Sequence, residues 1–207
     1  SCQDCKGTGC MFCDNHGIVH FDGVEGKISQ FLYEKFGTKQ VKFTWIGGED
    51  KTSLVKGDGR PFFAKLISPK RQNIHLPKKF VFDEIIVNDL RKIDHIPTGS
   101  IPFRSRITIL VMTKKRIPSN KLKKLKHLIN IPITFTGTHG KQIKKTIHKL
   151  RYRKNSLHSF TIEIDTDGGL PIKRLIEGNS VIPNITEILN IQCFCKKFDI
   201  NQITLSK

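Results

Sequence analysis

Four cysteines crowd into the first 13 residues, at Cys2, Cys5, Cys10 and Cys13, and they restrict the fold of this chain more than any other feature. They form two Cys-x2-Cys pairs, with Gly7 and Gly9 between them. The segment from Cys2 to His20 is too rich in glycine and polar residues to build a core of its own. A secreted disulfide framework would spread its cysteines along the chain and follow an apolar signal segment. Here the thiols are bunched and the N-terminus is polar. Thiolates two residues apart can grip a tetrahedral metal, and glycines let the backbone turn closely around it. The expectation is a structural zinc on Cys2, Cys5, Cys10 and Cys13, in a reducing cytoplasm. An iron–sulfur cluster is the alternative, because thiolates alone do not separate the two. His16, His20, Cys193 or Cys195 could replace one of the pairs. Four thiolates leave no open coordination position, so the role is structural and not catalytic.

Charge narrows the partners. Lys and Arg number 36 against 18 Asp and Glu in 207 residues, a net charge of +18 spread along the whole length. Such an excess repels itself in a compact chain unless a polyanion balances it. Nucleic acid is the natural polyanion, since each neutralised phosphate releases counterions and adds affinity. The bland alternative is a solvated basic surface. No segment pairs a basic face with a clean apolar helical face, and no apolar run approaches the roughly 20 residues that cross a bilayer, so neither membrane binding nor membrane spanning is expected. The chain is expected to be soluble, cytoplasmic and monomeric. Ser1 in place of Met points to a processed start, with room for a native segment ahead of it.

The apolar pattern predicts an α+β fold of mostly strands with a few short helices. Val24, Ile28, Phe31, Leu32 and Phe36 recur at helical spacing and stop at Gly37. Strands are expected over Val41–Trp45, Pro61–Leu66, Phe80–Val87, Arg106–Met112, Ile131–Thr136, Phe160–Asp165 and Phe198–Leu205. Asn120 is expected to cap a basic helix over Lys121–Leu128, Leu170–Ile176 to be a short helix, and Pro183 to start a last one through Leu189. Lys141–Lys154 suits a basic helix or a basic hairpin equally. Residues 1–20 are expected to be a metal module and residues 21–207 one larger domain.

No Ser-His-Asp pattern, phosphate loop or H-E-x-x-H motif is present. The position with most chemical promise is Asp50, just after a predicted strand and Gly47-Gly48, where loops commonly carry function. Its plain reading is a turn aspartate capping Lys51–Ser53. Two stretches change that balance. Trp45-Ile46-Gly47-Gly48-Glu49-Asp50-Lys51-Thr52-Ser53-Leu54-Val55, followed by Gly57-Asp58-Gly59-Arg60-Pro61-Phe62, resembles the catalytic loop of the archaeal and eukaryotic tRNA pseudouridine synthases that act on the T-loop. Gly168-Gly169-Leu170-Pro171-Ile172-Lys173-Arg174-Leu175-Ile176 resembles the later segment whose basic residue pairs with the catalytic aspartate. The resemblance extends over roughly Cys2 to Leu205 and includes a Cys-pair module.

That resemblance implies a pseudouridine-synthase-like fold, a mixed and mostly antiparallel sheet flanked by short helices, with a small N-terminal zinc knuckle. It implies isomerisation of uridine at T-loop positions 54/55 in tRNA, with Asp50 and Lys173 catalytic and no cofactor for the chemistry. Arg60, Phe62, Ile107 and Leu175 would hold the flipped base, with Phe63 and Phe103 as further candidates. RNA contacts are expected from Lys70, Arg71, Lys144, Lys145, Arg151, Arg153 and Lys154. The chain departs from the family at Gly48, Thr52 and Leu54 in the loop, at Pro171, and at Ile107, where the family has a stacking tyrosine. The large tRNA-docking domain common ahead of the cysteines is not in this sequence, so docking is expected to rest on the basic surface, the metal module or a missing segment. The competing reading is a non-catalytic zinc-containing RNA-binding protein, or one associated with the ribosome.

Overall fold

The computed structural model describes every residue except Ser1, Glu49, Asp50, Lys51, Thr52, Asp83, Pro97, Thr98, Ser100, Thr138, His139, Ser206 and Lys207. The chain separates into two compact units, Ser1–Trp45 with Phe62–Thr98, and Ile46–Pro61 with Gly99–Lys207.

In the first unit, Ile28, Leu32 and Phe36 fall four residues apart on one face of helix α1 (Val24–Phe36) and are all buried. Gly37 closes the helix, its N–H donating to Tyr33 O at 2.9 Å. Strands β1 (Gln40–Trp45) and β2 (Phe62–Ile67) pair antiparallel, with Trp45 opposite Phe62. The stretch read as one strand over Phe80–Val87 is a hairpin instead: β3 (Lys79–Phe82) turns back on β4 (Ile85–Asn88), with Phe82 opposite Ile85. Phe80 and Val87 thereby both reach the core of α1.

The second unit is built on a six-stranded sheet in the order β10-β5-β8-β7-β6-β9. Its strands are β5 (Phe103–Thr113), β6 (Pro132–Thr136), β7 (Gln142–Lys154), β8 (Ser159–Asp167), β9 (Val181–Ile182) and β10 (Cys193–Leu205). All neighbours run antiparallel, and isolated parallel bridges join Val55 to Ile200 and Ile129 to Ile147. Strict alternation makes the sheet one-sided. Ser105, Ile107, Ile109, Val111 and Thr113 of β5 are buried, as are Phe160, Ile162, Ile164 and Thr166 of β8. The expected mixed, mostly antiparallel α+β fold is present. The ambiguous stretch Lys141–Lys154 is strand, because Ile147 and Leu150 must meet Thr166 and Ile164 across the ladder.

Short helices lie against this sheet. The basic segment expected as one helix from an Asn120 cap starts earlier and winds tighter, as α2 (Ser119–Leu122, capped at Pro118) and then a 3-10 segment, Lys123–Leu128. Leu122, Leu125 and Leu128 stand three residues apart, which a three-residue turn stacks on one face, and all three are buried. Helix α3 spans Ile172–Glu177 and α4 spans Ile185–Leu189. The latter begins at Asn184, after Pro183, since the Asn184 Oδ1 accepts from Glu187 N at 2.9 Å. Among the described residues no helix is long and apolar enough to cross a membrane.

Candidate active site and cysteine centre

A cleft of about 390 Å³ opens in the second unit, where the N-terminal end of β5 meets the start of α3. Buried Ile107 and Ile200 and the rings of Phe103 and Phe198 give it apolar walls, and Gly47-Gly48 closes one side. Such a volume suits one small planar group. The turn after β8 sets its shape. Gly168 N donates to Phe103 O at 2.6 Å, and a Cβ on Gly168 would come 2.3 Å from the Phe103 ring. Only glycine lets that ring lie over the turn.

Lys173 enters the cleft because its helix is fixed on both other sides. Ile172, Leu175 and Ile176 are buried, which leaves Lys173 on the open face. Next to it the Arg174 guanidinium donates to three carbonyls, Asn179 O at 2.9 Å, Thr136 O at 3.1 Å and Ser180 O at 3.1 Å. It also lies 5.8 Å from the centre of the Phe135 ring. Arg174 therefore ties α3 to β6 and to the turn before β9.

Among the described residues, the acidic group in the cleft wall is Asp167. Its Oδ1 lies 2.8 Å from His148 Nε2, and its Oδ2 accepts from Thr146 N at 2.9 Å. Partial burial pushes this carboxyl up, but His148, the Thr146 N–H and nearby Lys145 outweigh it and hold Asp167 below the usual carboxylate range.

The segment carrying Asp50 lies outside the described residues, but both its flanks are pinned. On the near side Ile46 N donates to Pro61 O at 2.9 Å, Arg60 Nε donates to Ile46 O at 3.2 Å, and the same guanidinium donates to Gly47 O. On the far side Ile200 N donates to Leu54 O and Lys56 N to Ile200 O, at 2.9 and 2.8 Å. Asp199 completes that anchor, accepting from Leu54 N at 3.3 Å and pairing with Lys56 at 3.0 Å and Lys197 at 3.4 Å. Limited burial raises the Asp199 carboxyl, and these partners more than offset it, leaving its pKa lowered.

The four N-terminal cysteines converge in the first unit. Their sulfurs all lie within 4.8 Å of one another. Three of the sulfur separations are 3.9 Å for Cys2–Cys10, 3.8 Å for Cys5–Cys13 and 3.7 Å for Cys10–Cys13. A tetrahedron with metal–sulfur bonds of about 2.3 Å has edges of roughly 3.8 Å, so the donor set fits a four-coordinate ion. Backbone N–H groups point at the sulfurs, Gly9 N at Cys5 and Gly17 N at Cys13, each at 3.2 Å. Burial pushes the Cys5 thiol up, but the N–H groups of Gly9 and Gly7 and the thiols around it bring it down to about 6. Cys13 is lowered as well: burial raises it, and the N–H groups of Cys10 and Gly17 outweigh that. For Cys10 the Cys13 backbone lowers the thiol, while burial and the Cys13 and Cys2 thiols win and raise it to about 11. Cys193 belongs elsewhere, buried in β10, and its burial pushes its thiol up to about 11 against a Thr186 hydrogen bond.

The model of the family described as "Pus10, C-terminal" matches residues 11–204. The chain belongs to the Pus10 C-terminal family. It is 41% identical over 203 residues to the tRNA pseudouridine synthase Pus10 of Nitrosopumilus maritimus, covering 98% of this chain and 53% of that protein. It is 32% identical over 207 residues to that of Cenarchaeum symbiosum, covering 100% of this chain and 51% of the relative. The chain thus spans about half the length of the curated relatives it matches. A chain of a solved Cbf5-Nop10-Gar1 complex is also similar, at 10% identity and a TM-score of 0.42, over 48% of this chain and 30% of the other, too slight a likeness to argue from.

In this member of the Pus10 C-terminal family the expected site residues take different places. Lys173 and Ile107 meet at the cleft, as does Phe103. Leu175 is fully buried in the packing beneath α3, and Arg60 braces the Ile46 and Gly47 carbonyls. Phe62 lies in the first unit, its ring 5.0 Å from Trp45 and 5.7 Å from Phe43. Asp50 lies outside the described residues. Arg71 holds the end of α1, its N–H donating to Phe36 O at 3.0 Å and its guanidinium to Glu34 O, and Lys70 beside it is exposed. Lys144, Arg151 and Arg153 of β7 are exposed, and Lys145 and Lys154 are half-buried. Ser105, Asp167, Phe198 and Ile200 were not among the expected site residues. Asp167 is signalled by the Gly168-Gly169 turn after it, whereas the others are ordinary members of alternating strands.

Proposed function

We propose that this chain is the catalytic part of a tRNA pseudouridine synthase acting on the T-loop at positions 54/55, with residues 1–20 as its zinc module and residues 21–207 as the catalytic part. The relatives it matches are named tRNA pseudouridine synthases. One observation carries the reading: Gly47-Gly48 and Lys173, from motifs far apart in the chain, line the same cleft. Asp50 follows Gly48 by two residues.

In the reaction, the bond between ribose C1′ and uracil N1 breaks, the base turns, and C1′ bonds to C5. The hydrogen on C5 is lost as a proton and N1 gains one, so no redox step arises and no cofactor is needed for the chemistry. Asp50 supplies the carboxylate, as nucleophile or as base on the sugar. The Lys173 ammonium favours its ionised form and orients it. The target base must leave its stack and enter a pocket with apolar walls. Ile107 and Phe103 supply those walls, with Ile107 giving apolar surface where the family has a ring. Arg60 and Asp199 act through the loop, fixing its two ends. The zinc held by Cys2, Cys5, Cys10 and Cys13 organises a segment that has no core and takes no part in the chemistry. Lys144, Arg151 and Arg153 face RNA phosphate. The protein works as a cytoplasmic monomer.

Incubation of unmodified tRNA with the native protein and with Asp50→Ala, followed by pseudouridine mapping, tests this. The native protein should modify the T-loop and the variant should be slower by on the order of 10⁴-fold. Absence of modification by the native protein would leave the chain as an RNA-binding module only, and an active Asp50→Ala would remove the aspartate from the mechanism.

A further inference from the structure

One strongly basic surface of the second unit lies away from the cleft. Residues 114–127 hold seven Lys and Arg and no Asp or Glu: Lys114, Lys115, Arg116, Lys121, Lys123, Lys124 and Lys126. All but half-buried Lys121, whose Nζ donates to Leu189 O at 3.1 Å, are exposed. None of the seven is in an ion pair among the described residues. The segment is nevertheless rigidly seated, since Ile117, Leu122, Leu125 and Leu128 are at most 1% exposed. Seven uncompensated cations held on a fixed scaffold repel one another, which is tolerable on a surface that meets an anion.

Its position gives the surface a meaning. Lys114 N donates to Gln192 O at 3.0 Å and Ile117 N to Leu157 O at 2.9 Å, so it caps the end of the sheet where β5 finishes and β8 and β10 begin. The cleft lies at the other end of β5, at Phe103, Ser105 and Ile107. Six strand residues, Thr108–Thr113, lie between Ile107 of the cleft and Lys114, roughly 20 Å. The 3-10 turn packs against β7 and α4, and α4 packs against α3, whose start borders the cleft.

We propose that Lys114–His127 is a docking surface for the phosphate backbone of a base-paired arm of the same RNA whose loop enters the cleft. This rests on the RNA substrate proposed above. Phosphate contacts fix orientation without reading sequence, which suits a run of lysines. The segment contains no Phe, Tyr or Trp on which unpaired bases could stack, which argues for a duplex over a single strand. An anionic membrane is disfavoured because its apolar residues point inward and offer no insertion face.

The test uses the full-length protein and a triple variant, Lys123→Glu, Lys124→Glu and Lys126→Glu, with a Lys→Gln triple as the milder form. Binding is measured across salt to a whole unmodified tRNA transcript, and to a short stem-loop with the same target uridine but too few base pairs to span the two sites. The charge reversal should weaken tRNA binding by at least about tenfold and flatten the slope of log K against log salt by roughly 0.9 for each phosphate no longer neutralised. The Lys→Gln triple should move both in the same direction by less, while stem-loop affinity and thermal melting stay as in the native protein. Unchanged tRNA binding, an equal loss on the stem-loop, or loss of binding only to phosphatidylserine vesicles would each overturn the proposal. A native protein that makes no pseudouridine but loses tRNA affinity in the variants would keep the docking surface and remove the isomerase reading.

Discussion

The cysteine segment and the cleft both depend on glycines set against close neighbours, but the neighbours differ in kind. At Gly17 the backbone has φ +76°, and an added Cβ would lie 2.7 Å from the carbonyl oxygen of Gly7, a main-chain atom that cannot swing aside. At Gly168 the obstruction is the Phe103 ring at 2.3 Å, a side chain that can rotate at some cost. The first region has no apolar core, and its order comes from backbone bonds such as Cys2 N to Gly17 O at 2.8 Å and from whatever ion its thiols hold. The second hangs on a sheet whose inner face is closely filled with Ile, Val and Phe. The first region is therefore expected to fail as a unit when a single bond within it breaks, and the second to deform locally.

The largest predicted effect follows from that contrast. Gly17→Ala combines a positive φ with a backbone collision and should destabilise the segment by roughly 3 kcal/mol or more. Metal retention should fall and the rate of thiol labelling at Cys2 to Cys13 should rise. A strong chelator should reproduce both effects on the native protein. The β5–β8 amides should keep their slow hydrogen exchange in either case. Loss of that protection together with the metal would mean that the two regions stand or fall together.

The same contrast explains what is legible in the sequence. The metal cluster is legible because its ligands are local: four residues of one reactive type at short spacing need no knowledge of the fold. The helix α1 and the strands around Ile107 and Ile162 are legible from periodicity. The split of Phe80–Val87 into a hairpin is not, because an unbroken apolar run is compatible with one strand, and only the packing of Phe80 and Val87 against α1 divides it. The basic 3-10 segment reads as an α-helix for a related reason: leucines three apart fit either winding until the sheet beneath selects one. In the cleft, Lys173 and Ile107 come from motif resemblance, and nothing local marks Phe198 or Ile200. Strand alternation says which face is inward, not which inward residue borders an opening. Arg60, placed near the base by its motif, bonds Ile46 and Gly47 carbonyls, a long-range contact that no spacing rule contains.

Gly168→Ala should have a smaller effect of different character. Its backbone conformation is open to alanine, so the cost is that of moving the Phe103 ring, about 1–3 kcal/mol. On the proposed function, the ring would turn into the cleft and lower pseudouridine formation by about tenfold to a hundredfold, with metal content unchanged. Adding Phe103→Leu should restore most of the thermal stability, because the smaller side chain leaves room for the methyl group. Failure of that rescue would show that Gly168 is needed for its backbone and would make the two glycines alike.

Asp167→Asn should be the mildest, and it separates charge from packing in the cleft wall. Asp167 is held below the usual carboxylate range, chiefly by His148 and the Thr146 N–H acting against its partial burial. Its stabilising contribution is therefore full above the unfolded carboxylate value of about 3.9 and is lost as pH falls through the lower folded value. Because the side chain is 35% exposed, solvent screens the pair, and the contribution should stay below about 1 kcal/mol. Thermal melts from about pH 6 down to about pH 2 should show the native protein losing more stability than Asp167→Asn over the acid end, with the two curves parallel above about pH 5. Parallel curves throughout would mean that the asparagine keeps the Thr146 bond and that His148 adds nothing by its charge. The wall of the cleft would then be held by backbone geometry, as the cysteine segment is.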